Sequence, residues 1–89
     1  MDSNLTSMYL KLGSTLEETY PHRSFKNHCY WRIAMDNVLS DRWDKHVQRP
    51  AYRNLSEEQL KEVVNLLEQY QTDELLLMTH NKQSLQYRT

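Results

Sequence analysis

The sequence is poor in the residues that punctuate sheet proteins, with one glycine and two prolines in 89 residues. β-Sandwiches and barrels need many turns of special geometry, so this scarcity argues against them. A lone glycine also excludes the glycine-rich loops that cradle phosphates in P-loop and dinucleotide-binding folds. A single cysteine, Cys29, excludes an internal disulfide framework. No apolar run approaches the roughly 18 residues of a membrane span. The first residues are polar, so neither a signal peptide nor a transmembrane helix is expected. These absences lead to the expectation of a protein of the reducing cytoplasm.

What is present favours helix. Leu, Glu, Gln, Lys, Arg and Met are common, and all are good helix formers. A chain this short buries only a modest core, which a partner or a second copy can complete. The expected architecture is all-α: a small three- to four-helix bundle with a central, largely buried second helix. It forms one domain over residues 1–80, followed by a polar, frayed tail over 81–89.

The first helix is expected over residues 4–20. Leu5, Met8, Tyr9, Leu12, Leu16 and Tyr20 recur every three or four positions and form one apolar stripe. Gly13 lies inside that stripe at a cost of about 1 kcal/mol relative to alanine. Pro21 ends the helix, because a residue before proline is pushed out of the α region. Ser24 is a good N-cap for a second helix over 25–39. Ser40 and Asp41 can continue that helix or cap a fresh turn, and a bend is expected there, with residues 42–47 helical up to Arg49-Pro50.

Residues 54–71 carry the clearest local signal. Ser56 with Gln59 matches a capping box, and Leu55 with Leu60 a hydrophobic staple. Leu60, Val63, Val64, Leu67 and Tyr70 supply the stripe of a third helix. A break at Thr72 and a fourth helix over 73–80 complete the expectation.

Net charge is −1, so bulk charge indicates no partner. Its distribution is uneven. Residues 21–53 have a balance of +4 and residues 54–78 a balance of −5. The two halves can neutralise each other across the fold or across a dimer, or the first can offer an anion-binding face.

The stretch 24–47 concentrates the rare residues: both tryptophans, the cysteine, the phenylalanine and two of the four histidines. Helix two is apolar nearly all round, as a buried helix is. Its exceptions, His28, Arg32 and Asp36, are spaced i, i+4, i+8 and form one row. An Arg and an Asp one turn apart can pair. The row is expected to be either a satisfied internal network that sets helix register or the polar floor of a binding pocket, because charges are rarely buried without a partner or a task. Beside it, Trp31, Arg42, Trp43, Arg49 and Tyr52 are contact candidates, since Trp, Tyr and Arg are enriched at interaction hot spots. For Trp43 simple core packing is the favoured expectation and contact the alternative, Trp31 is balanced between the two, and Tyr52 is expected as a lid on the loop.

No metal and no cofactor is expected. His22, His28, Cys29, His46 and His80 show no C-x-x-C or H-x-x-x-H spacing. Cys29 and His28 are adjacent and diverge by about 100° on a helix, which weakens a thiol–imidazole reading. The expected function is therefore non-enzymatic binding or regulation through contacts with another protein or with a second copy as a homodimer. Nucleic-acid binding by the basic, aromatic stretch 21–53 is disfavoured by a pI near 6.4. A small enzyme or metal site around His28 and Cys29 ranks last, and no membrane partner is expected.

Overall fold

The described residues form five α-helices, four of them near where helices were read from the sequence, and no strand. The computed structural model describes residues 3–89. The helices are α1 (Ser3–Thr19), α2 (Asn27–Leu39), α3 (Ala51–Asn54), α4 (Glu57–Tyr70) and α5 (Glu74–Tyr87). A 3₁₀ turn, Trp43–Lys45, lies between α2 and α3. The fold is all-helical as expected, with one more α-helix than the three or four read from the stripes. The addition, α3, is a single turn after Pro50, too short to display a period.

The radius of gyration is 12.0 Å, close to the roughly 12 Å of a compact chain of this length. α1 packs on α2, α3 and α4, while α2 also packs on α4, α5 and the 3₁₀ turn. Leu16, Tyr30, Ile33, Ala34, Val63, Leu67, Tyr70 and Leu77 have no exposed surface and form the heart of the core.

α1 stops at Thr19, before Pro21, as its sequence dictates. The Tyr20 hydroxyl then donates to the Tyr70 carbonyl, one of the carbonyls that the end of α4 leaves without a helical partner. α4 opens with the anticipated capping box, in which Ser56 Oγ accepts from the Gln59 amide at 3.1 Å and Gln59 Oε1 accepts from the Ser56 amide at 3.0 Å. The chain breaks at Gln71 and Thr72, and Asp73 caps α5 by accepting from the Leu76 amide at 2.9 Å.

Three expectations are corrected. α2 begins at Asn27, not at residue 25, and Ser24 does not cap it. The cap comes from α1: Glu17 Oε1 accepts from the Asn27 amide at 2.9 Å, placing a carboxylate at the positive end of the helix dipole. The bend after Ser40, which adopts the left-handed conformation (φ 55°), contains one 3₁₀ turn in place of a helix over 42–47. The stretch 81–89 is not a frayed tail. α5 runs to Tyr87 and buries Asn81 and Ser84, because those polar side chains find partners on α2.

Gly13 has a reason that only the packed structure supplies. A Cβ there would lie 2.6 Å from the Trp31 indole. The missing side chain lets the indole lie against α1, where it stacks on Tyr9 with centroids 4.9 Å apart and planes within 11°. Its Nε1–H donates to the Tyr9 carbonyl at 2.8 Å.

Candidate functional site

The row of three polar residues on α2 does not act as a unit. Asp36 has no exposed surface. Its carboxylate accepts from Arg88 at 2.8 and 3.0 Å, from the Ser84 hydroxyl at 2.6 Å and from the Trp43 amide at 2.9 Å. The expected pairing of Arg32 with Asp36 is replaced by this Arg88 fork, which comes in bidentate from the end of α5. Arg32 instead donates to Ser84 Oγ at 2.7 Å and Asn81 Oδ1 at 3.0 Å. Burial pulls the Arg32 guanidinium below its ordinary value. Next to it, Asn37 donates to the Ile33 and His80 carbonyls. The α2–α5 boundary is thus a polar seam in which each charge meets a partner.

His28 is the one exposed residue of α2. It opens onto a cleft of about 280 Å³, lined also by Tyr9, Trp31, Met35, Trp43, Arg49, Pro50, Ala51 and Tyr52. This is near the lower edge of the roughly 300–1,000 Å³ typical of ligand pockets. Five of the eight anticipated site residues, His28, Trp31, Trp43, Arg49 and Tyr52, therefore converge. Arg32 and Asp36 belong to the seam. Arg42 is bound to Asp44 at 3.1 and 3.3 Å and does not line the cleft.

Each wall of the cleft has a local origin. Tyr9 and Trp31 form a stacked pair made possible by Gly13. The Tyr9 hydroxyl lies 3.9 Å from Met35 Sδ, and burial raises its phenol far above the ordinary value, so it stays protonated. Tyr52, supplied by α3, tilts against Tyr9 at 5.7 Å. Trp43 is held by the hydrogen bond that its backbone N–H donates to Asp36 Oδ1, and it is only 7% exposed. The Arg49 guanidinium lies over the Trp43 ring at 4.9 Å, and that of Arg53 over Tyr52 at 5.9 Å.

Charge in the bend is consumed locally. Asp41 is held below the usual carboxylate range, chiefly by its hydrogen bond from His46, and Asp44 by that from Arg42. Among the described residues, no carboxylate lines the cleft. Among the described residues, Arg49 and Arg53 meet no acidic side chain, whereas Arg23, Arg42 and Arg88 each do.

Sequence reasoning missed Tyr9, Met35, Pro50, Ala51 and Arg53 in this region, and Asn81, Ser84 and Arg88 in the seam. Two signals were present. Gly13 sits one turn from Tyr9 inside an apolar stripe, which marks a close approach. Asn81, Ser84 and Arg88 are spaced i, i+3, i+7, the period of one helix face. Among the described residues, no three His, Cys, Asp or Glu side chains cluster closely enough to hold a metal ion. No helix among the described residues is long and apolar enough to cross a membrane. Compared with protein-family models, curated proteins and solved structures, the chain has no match.

Proposed function

We propose that this protein is a small non-enzymatic binding module whose aromatic cleft receives an apolar side chain of a protein partner. The observation that carries this reading is the convergence of four rings, from Tyr9, Trp31, Trp43 and Tyr52, around an open apolar space. Aromatic side chains and arginines in a concave, partly desolvated setting are what interaction hot spots are made of. In this reading α1, α2, α4 and α5 act as the bundle, with α2 at its centre, and the 3₁₀ turn and α3 are an insertion that builds the cleft wall. A reducing cytoplasm suits the single free thiol of Cys29. A second copy of the chain is the runner-up occupant, favoured by the exposed Leu10, Leu75 and Leu85.

Single-stranded nucleic acid fits less well. Base stacking needs a free ring face. Here Trp31 is stacked on Tyr9, while Trp43 and Tyr52 each carry a guanidinium on one face.

The test is an affinity capture from native cells, comparing wild type with Tyr52→Ala, read by mass spectrometry. Tyr52 is half-buried at the cleft wall, so its truncation widens the cleft while leaving the helical core intact. Partners recovered by the wild type and lost with Tyr52→Ala support the reading. Equal recovery by both chains refutes it.

A further inference from the structure

The cleft combines an apolar interior with two arginines whose forks are open. Of the six arginines, Arg23 is bound to Glu74, Arg42 to Asp44 and Arg88 to Asp36. Arg32 is bound to Asn81 and Ser84. The remaining two, Arg49 and Arg53, are both exposed, and among the described residues they contact only ring faces. Arg49 lies in the bend before Pro50 and lines the cleft, and Arg53 lies on the single turn of α3 that supplies Tyr52 to its wall. The neighbouring carboxylates cannot neutralise them, because Asp41 is engaged by His46 and Asp44 by Arg42. A guanidinium resting on an aromatic face keeps its N–H edges directed outward, and those edges match a carboxylate two bonds at a time.

Building on the reading of this cleft as a protein-binding site, we propose that its ligand is a peptide segment with one aromatic or aliphatic side chain flanked by carboxylates. The apolar side chain enters between Trp31, Met35 and Tyr52. The flanking acids meet Arg49 and Arg53. Among the described residues no acidic side chain lines the cleft, which disfavours a cationic ligand such as an alkylated ammonium despite the aromatic walls. The steering charge is local: the protein as a whole carries −1, so an acidic partner is drawn to this rim and not to the molecule at large.

The experiment is selection of a random dodecapeptide display library on the immobilised full chain, repeated on Tyr52→Ala and on the double variant Arg49→Gln/Arg53→Gln. Circular dichroism checks that each variant is folded. The expected result is enrichment of sequences with Asp or Glu beside a single large apolar residue. The best peptide should bind the double variant about tenfold more weakly, two exposed charge pairs together being worth about that factor. Its affinity should also fall as salt rises, and it should shift the Trp31 and Trp43 indole resonances. Enrichment without acidic bias, or a bias that persists in the double variant, overturns the acidic ligand and leaves the cleft reading standing. No enrichment, or peptides indifferent to Tyr52→Ala, overturns both. Indole shifts that follow protein concentration alone assign the cleft to a second copy. Shifts produced by an oligothymidylate and not by the peptides assign it to nucleic acid. Either result overturns the peptide.

Discussion

Where α2 faces α5, Asp36 is enclosed by Arg88, Ser84 and the Trp43 amide, and Arg32 by Ser84 and Asn81. Where α2 faces the 3₁₀ turn and α3, His28 is exposed and Arg49 and Arg53 lie on rings with their donors open to water. The two flanks share a helix and even a hydrogen bond, since the residue that floors the cleft, Trp43, hangs from the carboxylate that anchors the seam. Yet one has matched its charges internally and the other has not. A buried carboxylate without partners would unfold so small a domain, so the seam had to close. Exposed guanidinium groups carry no such penalty, so the cleft is free to keep its donors for something outside the chain.

The largest expected effect breaks the seam. Arg88→Ala leaves Asp36 buried with only neutral donors and should cost about 3 kcal/mol of stability by urea denaturation. Amide exchange across 81–87 should accelerate, and the Trp43 amide should shift. Arg32→Ala should cost clearly less, because Asp36 keeps its ion pair. Equal losses for the two variants would mean that the seam is not organised around Asp36 and Arg88.

Gly13→Ala tests the wall shared by core and cleft. Alanine improves helix propensity by about 1 kcal/mol. Its Cβ must displace an indole held by stacking and a hydrogen bond, and overpacking of this kind costs about 1–3 kcal/mol. The net outcome should be a modest loss of stability with a change in Trp31 fluorescence. A stabilised variant with unchanged emission would show that the indole adjusts freely.

A smaller effect comes from His80 on α5. Burial depresses its pKa below the ordinary value, and its Nδ1 lies 2.7 Å from the Tyr70 hydroxyl. Burial also raises the Tyr70 phenol far above its usual value, so Tyr70 keeps its proton and donates. The unfolded chain then binds a proton more readily than the folded one. Stability from this group is present above about pH 6.5 and is lost as pH falls through the lower folded value. Thermal melts of wild type and His80→Gln should diverge above that pH and converge below it.

The smallest effect is expected on the open flank. Arg49→Gln and Arg53→Gln should each leave stability within about 0.5 kcal/mol of wild type, because each side chain is exposed and its contact is limited to one ring face. A larger loss would erase the contrast between the two flanks.

Much of the helical layout was legible because its signals are local. The Ser56–Gln59 box, the break at Thr72 and the stop before Pro21 each involve residues within a turn or two of one another. Most of the cleft was legible in part for another reason: Trp31, Trp43, Arg49 and Tyr52 are conspicuous by type. Tyr9 was hidden because a tyrosine in an apolar stripe looks like any core residue. Asn81, Ser84 and Arg88 were hidden because a polar end of a chain looks frayed until a buried carboxylate is found to need it. Glu17 as the cap of α2 could not be read from its neighbours at all, since the amide it bonds lies ten residues away and across a turn.

By itself the sequence determined the all-helical class, most of the breaks between helices and the concentration of aromatic and basic residues between 21 and 53, because periodicity, capping and composition act over a few residues. Only the tertiary structure decided which arginine Asp36 would meet, why Gly13 must lack a side chain, and that the polar row would divide between a closed seam and an open cleft. Those outcomes depend on which surfaces α1, α2 and α5 bring into contact. No local signal encodes that choice, because it is settled by burying apolar area and partnering the buried charges at once.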